Sequence, residues 1–261
     1  AEWYPGIYSG SRSGSVAALD SSTAVVCYSD KGSTPTANAG TCKKLSVSAM
    51  SATSLTAGAG TVFASTGARD VNVVALDATN AIVCYNNLGN DEHGTCNHLG
   101  VSSTGTIVAG TAVEFVPTSN VYDISLTKQS ASTALVCYRV NSMPSGVCKP
   151  LSVSGTSITV GADIVFFSGY MGNRPATTGV TATKALVCYG GDDNKGTCNL
   201  IASPPPPEPS PPPPNPSPPP PTPSPPPPVP PPPRSPQPLQ CMDDCMYASD
   251  GDCDDGGPGA E

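Results

Sequence analysis

Charged residues are few in this chain: 12% of its 261 residues are Asp, Glu, Lys or Arg, against roughly 25% in an average soluble domain. Aromatics make up 5%, with Trp3 the single tryptophan. A protein with so few charges needs another route to solubility, and surface glycans are one. The net charge is −8 and no stripe of Lys and Arg exists, which sets aside a nucleic-acid partner. No apolar run reaches the ~18 residues of a membrane span. No stretch shows a helical period. No leader is visible, so with this cysteine usage Ala1 reads as the start of a mature secreted product. There are two histidines, His93 and His98, and neither sits in a triad or a His-Glu-x-x-His pattern. Both read as surface or packing residues. The acid pairs Asp91–Glu92 and Asp192–Asp193 fall in turn-like stretches, where Asp is favoured by turn geometry alone. No phosphate-binding glycine loop or dinucleotide fingerprint is present. The expectation is a protein that is not an enzyme. Asn-x-Ser/Thr sequons are absent, Asn215-Pro216-Ser217 being blocked by its proline, so glycosylation is expected to be O-linked.

Cysteine, by contrast, is plentiful. Eleven are present, and the first eight form loosely spaced pairs unlike the tight clusters of zinc sites, which points to disulfides and an oxidising compartment. They also mark a repeat. The sequences AVVCY, AIVCY, ALVCY and ALVCY place Cys27, Cys84, Cys137 and Cys188 at spacings of 57, 53 and 51 residues. A second element follows each: GTCKKLSVS, GTCNHLGVS, SGVCKPLSVS and GTCNLIA, with Cys42, Cys96, Cys148 and Cys198. These segments are short, β-branched and bounded by turn residues, so they read as strands. LSVSGTSITVG reads as strand, Gly-Thr turn, strand. A hairpin brings the two cysteines of each copy together, predicting Cys27–Cys42, Cys84–Cys96, Cys137–Cys148 and Cys188–Cys198. Each contributes on the order of 3 kcal/mol by loop closure, in a domain short of large apolar side chains.

Tandem units of about four strands predict an all-β fold, a small four-bladed propeller-like head over residues 1–202, with an open β-repeat array or a β-sandwich as alternatives. The fourth copy stops at Ile201–Ala202, where the others continue into two more strands. The N-terminal stretch AEWYPGIYSG is a candidate for a missing strand that closes a ring. Tyr28, Tyr85, Tyr138 and Tyr189 follow each first cysteine and point to the opposite face of the strand. They read as packing residues between blades, or alternatively as a sugar-binding platform.

Of 32 prolines, 25 lie between Pro204 and Pro238. Residues 203–230 are four copies of SPPPPxP. Proline fixes φ and cannot donate a ladder hydrogen bond, so residues 203–238 are expected to form a polyproline II rod of roughly 110 Å. A plain stiff linker is the minimal reading. An SH3-type ligand is disfavoured because that recognition is mostly intracellular.

Beyond the rod, residues 239–261 form an acidic module with Cys241, Cys245 and Cys253, an odd number that implies a missing or intermolecular partner. This module is expected to continue past Glu261. Calcium is a hard ion taking six to eight oxygens. Asp250, Asp252, Asp254 and Asp255 are its candidate ligands, although the EF-hand spacing is absent. A solvated acidic end is the alternative.

SPPPP at Ser203, Ser210, Ser217 and Ser224 resembles the extensin motif of plant and green-algal hydroxyproline-rich glycoproteins. The resemblance implies O-glycans on the serines (galactose type) and on hydroxylated prolines (arabinose type). These would fall at Ser203, Pro204, Pro205, Pro206 and Pro207; at Ser210, Pro211, Pro212, Pro213 and Pro214; at Ser217, Pro218, Pro219, Pro220 and Pro221; and at Ser224, Pro225, Pro226, Pro227 and Pro228. Residues 16–202 are similar to VCY…GTC repeats of algal and environmental surface proteins, which implies propeller-like domains. DGDCDDGG weakly resembles calcium-dependent Notch-type repeats and a cysteine-rich module of algal surface proteins. The three-part layout is similar to pherophorin-type cell-wall glycoproteins and to mastigoneme-type glycoproteins that coat flagella. It implies a homo-oligomeric fibre, joined by other hydroxyproline-rich glycoproteins and assembled by head-to-stalk contacts in a cell wall or on a flagellar surface. A lectin-like adhesion head on a glycosylated stalk is the alternative.

Overall fold

The computed structural model describes residues 14–30, 38–47, 54–140, 145–171, 174–191 and 195–203. Among these the regular structure is all strand, and no helix is long and apolar enough to cross a membrane. Repeat 1 holds β1 (Gly14–Ala18), β2 (Thr23–Asp30), β3 (Ala39–Val47), β4 (Leu55–Ala57) and β5 (Thr61–Ala64). Repeat 2 holds β6 (Ala68–Ala75), β7 (Asn80–Asn87), β8 (His93–Val101), β9 (Ile107–Ala109) and the first part of β10 (Val113–Lys128). The rest of β10 opens repeat 3, with β11 (Thr133–Val140), β12 (Ser145–Ser154), β13 (Ser157–Val160) and β14 (Ile164–Phe167). Repeat 4 holds β15 (Ala176–Thr181), β16 (Lys184–Gly190) and β17 (Gly196–Ala202).

Every pairing is antiparallel. In repeats 1 to 3 three strands lie side by side, and a fourth position is shared by two short strands on the outer edge: β4 and β5 on β3, β9 and the start of β10 on β8, β13 and β14 on β12. The expected four-strand unit is therefore present, its last member broken in two. The Gly-Thr turn expected in LSVSGTSITVG joins β12 to β13, with Gly155 at φ +59°.

The first turn of each repeat is closed by a short polar side chain. Asp20 accepts from the Ser22 and Thr23 backbone N–H groups at 2.7 and 2.8 Å, and Asp77 does the same for Thr79 and Asn80. The Thr23 hydroxyl and its neighbours hold the Asp20 carboxyl down at about 2. Against the upward pull of burial, hydrogen bonds from Thr79 and Asn80 hold Asp77 below its usual value as well.

Side chains alternate across a strand, so a continuous apolar run such as AIVCY must be covered on both faces. It is, because the four sheets stack in chain order with three cores between them. The first three disulfides face the next repeat and the last three tyrosines face the previous one. Cys27 and Cys42 lie in the first core with Tyr85, Cys84 and Cys96 in the second with Tyr138, and Cys137 and Cys148 in the third with Tyr189. One phenylalanine seals each junction. Phe63 packs on Tyr85, Phe115 on Tyr138 and Phe166 on Tyr189, with centroids 4.9, 5.0 and 5.1 Å apart. Such pairs are worth about 0.5–1.5 kcal/mol beyond their area.

These rings explain the glycine of the GTC element. A Cβ on Gly40, Gly94 or Gly146 would lie 2.3, 2.5 or 2.3 Å from the ring of Phe63, Phe115 or Phe166. The glycine is a notch into which the outer strand lays its phenylalanine.

The inner strands of adjoining repeats pack together, β1 with β6, β6 with β10 and β10 with β15, while β15 and β1 form no comparable contact. The blades stack as in a propeller, but among the described residues they form an open array and the ring is not closed.

Candidate functional site

The stack has an unfinished end. Repeat 4 has the same inner three strands as the others, in the order β15-β16-β17, and no described strand lies on the second edge of β17. Its back face is complete. Tyr189 packs on Phe166 and Phe167, and Asn199 Nδ2 donates to the Phe166 carbonyl at 2.8 Å and to the Tyr189 hydroxyl at 3.2 Å. Among the described residues, nothing packs on its forward face as repeat 4 packs on repeat 3. Leu135, Cys137 and Cys148 are fully buried in repeat 3. Their counterparts in repeat 4 are half-buried Leu186 and Cys188 and exposed Cys198. Leu200, on the same face, is 59% exposed. Among the described residues the notch is empty: a Cβ on Gly196 would meet nothing within 4 Å. An open strand edge presents unpaired N–H and C=O groups to any strand that can reach it. This edge without a described partner strand, the exposed apolar face beside it and the unfilled notch together form the candidate assembly site.

A second constellation ties repeats 2, 3 and 4 together. β6 and β10 carry matching irregularities, between Arg69 and Asn72 and between Tyr122 and Ser125. Asp70 and Asp123 sit there at φ +51° and +57°, a left-handed conformation that Asp tolerates better than most residues. Arg174, just before β15, pairs with Asp70 and reaches Asp123 at 3.4 Å. Arg139 pairs with Asp123 at 3.0 Å, and Arg69 with Glu92 at 2.9 Å. The Tyr122 hydroxyl donates to Glu92 at 2.8 Å. That bond, with burial, raises the Tyr122 pKa and keeps the phenol a donor. These carboxylates are engaged by arginines of the same network, so the arrangement acts chemically as a clamp between blades. The paired residues stand 16 to 104 positions apart in the chain, and sequence spacing gave no sign of it.

The four disulfides form in the expected pairs, Cys27–Cys42, Cys84–Cys96, Cys137–Cys148 and Cys188–Cys198. Each joins directly opposed residues of two neighbouring strands, with Cα atoms 4.0–4.1 Å apart. They point to a secreted or extracellular protein. Tyr85 and Tyr138 are 1% exposed, and burial raises their pKa. They lie inside the junctions, closed to any sugar.

His98 is 2% exposed, with Nε2 3.0 Å from Asn80 Oδ1. Burial lowers its pKa, partly offset by Asp77. His93 opens β8, 3.5 Å from Glu114. Asp91 and Glu92 both adopt positive φ in the turn before it, while Asp192–Asp193 lie outside the described residues.

Ser203, the first of the candidate glycosylation sites, is 5% exposed; its N–H donates to the Thr183 carbonyl at 2.8 Å, and its hydroxyl accepts from Gln129 at 2.7 Å. The remaining candidate glycosylation sites, from Pro204 to Pro228, and the candidate calcium ligands Asp250, Asp252, Asp254 and Asp255 lie outside the described residues. Among those described, no group of three or more His, Cys, Asp or Glu side chains could hold a metal.

No protein-family model matches the chain, and no curated protein matches it. Solved structures similar to it include a mutant Aleuria aurantia lectin in complex with Fucα1-6GlcNAc, at 11% identity and a TM-score of 0.42, covering 73% of this chain and 62% of that one. The same lectin in complex with α-methyl-L-fucoside matches at 11% identity and 0.42, covering 73% and 61%. A subtype N11 neuraminidase-like protein of A/flat-faced bat/Peru/033/2010 matches at 12% identity and 0.37, covering 69% and 55%. The chain spans less than two thirds of the length of each, and no assignment follows from likenesses at this level.

Proposed function

We propose that this chain is a non-enzymatic structural subunit of an extracellular glycoprotein fibre or coat, of the kind found in a cell wall or on a flagellar surface. The observation that carries this reading is the end of the stack: among the described residues, the last blade keeps an exposed apolar face and a strand edge with no partner strand, which suits continuation by another element. Exposed contiguous apolar surface on a folded protein marks an interaction site. The sequence that follows, the SPPPPxP rod, supplies a stiff element of roughly 110 Å whose O-glycans would offset the low charge of the head. Head and rod together suit an assembly in which one copy's rod lies along a neighbour's head, other hydroxyproline-rich glycoproteins joining the same fibre. A calcium ion on the C-terminal aspartates would be a further cross-link of that assembly.

Electron microscopy of the natively isolated, glycosylated protein tests the proposal. Ordered fibres with an axial repeat comparable to the rod are expected. Dispersed single heads on thin tails would overturn it. Saturable glycan binding by those heads would then favour the lectin-like reading, through a surface other than the buried Tyr85 and Tyr138.

A further inference from the structure

We infer that Arg174 is a latch that winds the head around its inner strands: it holds blade 4 against blade 2, and releasing it lets those two blades part while every sheet and disulfide stays intact.

The three residues that meet there hold one repeat position. Asp70 stands two residues before Asn72, the partner of Cys84. Asp123 stands two before Ser125, the partner of Cys137, and Arg174 two before Ala176, the partner of Cys188. Sheets packed face to face lie about 10 Å apart, so in a flat stack this position in blade 2 would be roughly 20 Å from its counterpart in blade 4. Instead Arg174 and Asp70 form an ion pair. The inner strands therefore converge on an axis, and this repeat position lines it.

One carboxylate carries the convergence. Asp70, 5% exposed, takes the Arg174 guanidinium of blade 4 on Oδ1. On Oδ2 it accepts the Asp123 backbone N–H of blade 3 at 3.2 Å. The Arg174 Nε reaches Asp123 Oδ1 at 3.4 Å. A planar guanidinium can serve two acids at once in a way that a point charge cannot. The charge pattern is also specific: blades 2 and 3 bring acids to the axis, and the base that offsets them comes from blade 4.

Two further observations make this contact a latch and not part of a core. The hydrophobic cores are pairwise, between blades 1 and 2, 2 and 3, and 3 and 4, so no core described joins blade 2 to blade 4. Asp70 and Asp123 also sit at φ +51° and +57°, a conformation that costs energy for a residue other than glycine and persists only where the surroundings hold it. The Arg174 side chain is 43% exposed, so it can leave its acids without disturbing apolar packing.

Hydrogen exchange of the full-length glycosylated protein, read by mass spectrometry, tests the latch. In Arg174→Met, residues 68–72 and 121–125 should exchange faster by about an order of magnitude, a partly exposed pair giving less than a fully buried one. Strands β7, β11 and β16 should keep wild-type rates, with all four disulfides in place. Arg139→Met is the control. It removes a pair to Asp123 made inside blade 3, so it should speed residues 121–125 and leave 68–72 protected. Should Arg174→Met fail to fold, Arg174→Lys, which keeps the charge and loses the fork, should show the same pattern more weakly. Unchanged exchange of residues 68–72 in the Arg174 variant that folds would overturn the latch, as would equal loss of their protection in Arg139→Met. A rise spread evenly over all blades would overturn it too, marking Arg174 as a general support of the fold.

Discussion

A Cβ on Gly94 would sit 2.5 Å from the ring of Phe115, a side chain 1% exposed and stacked on Tyr138. The ring has nowhere to retreat, so Gly94→Ala should cost about 1–3 kcal/mol, the usual range for overpacking a tight core. Gly196→Ala, at the same repeat position with open space before it, should fall within about 0.5 kcal/mol of wild type. Paired denaturant melts of the two variants check the difference. His98 sets a pH dependence of its own. Burial lowers its folded pKa, so between that value and the unfolded value near 6.5 the unfolded chain binds more protons. The stability it supports is complete above the unfolded pKa and declines as pH falls through the folded one. Melting temperature should drop on acidification from pH 7, and His98→Gln should flatten the slope in that window. Asp20, held at about 2, acts in a separate window. Its contribution is present above the unfolded carboxylate value and lost as pH falls toward 2.

At the scale of strands and staples, what the sequence displays is whatever is local. The disulfides were legible because each joins opposed residues of one hairpin, 10 to 15 positions apart. The four-strand unit was legible because apolar runs and turn residues alternate within each copy. The sharing of β10 between two sheets was not, since Pro117-Thr118-Ser119-Asn120 at the crossing reads as a turn, yet the strand runs on through it. Nor was the Arg174 clamp, whose acids are brought together by two strand irregularities and not by spacing. The GTC glycines were visible as a motif, but their purpose appears only once Phe63, Phe115 and Phe166 are seen lying on them. The same packing separates the staples chemically. Three disulfides have both sulfur-bearing residues fully buried between blades, whereas Cys198 is exposed. Limited reduction of the folded, unassembled protein, followed by alkylation and peptide mapping, should therefore label Cys188 and Cys198 first. Early label on Cys84 or Cys96 would contradict the stacking order.

The head is a series of blades packed in chain order, and its stability is expected to follow nearest-neighbour terms as in other repeat proteins. Repeats 2 and 3 are covered on both faces and repeat 4 on one. Amide exchange of the monomer should accordingly be slowest in β7, β8, β11 and β12 and fastest in β15 to β17. Uniform protection across all four blades would mean that the end face is covered already.

The continuous strand β10 has a mechanical consequence. Its first half belongs to one sheet and its second to the next, with a break in the pairing between Val116 and Asn120, so a pull along the chain passes from blade 2 to blade 3 within one strand. Blades 1 and 2 are joined instead through Gly67, at φ +114°. Under a pull along the chain the middle two blades are expected to hold together as a single riveted plate while the junction at Gly67 gives first.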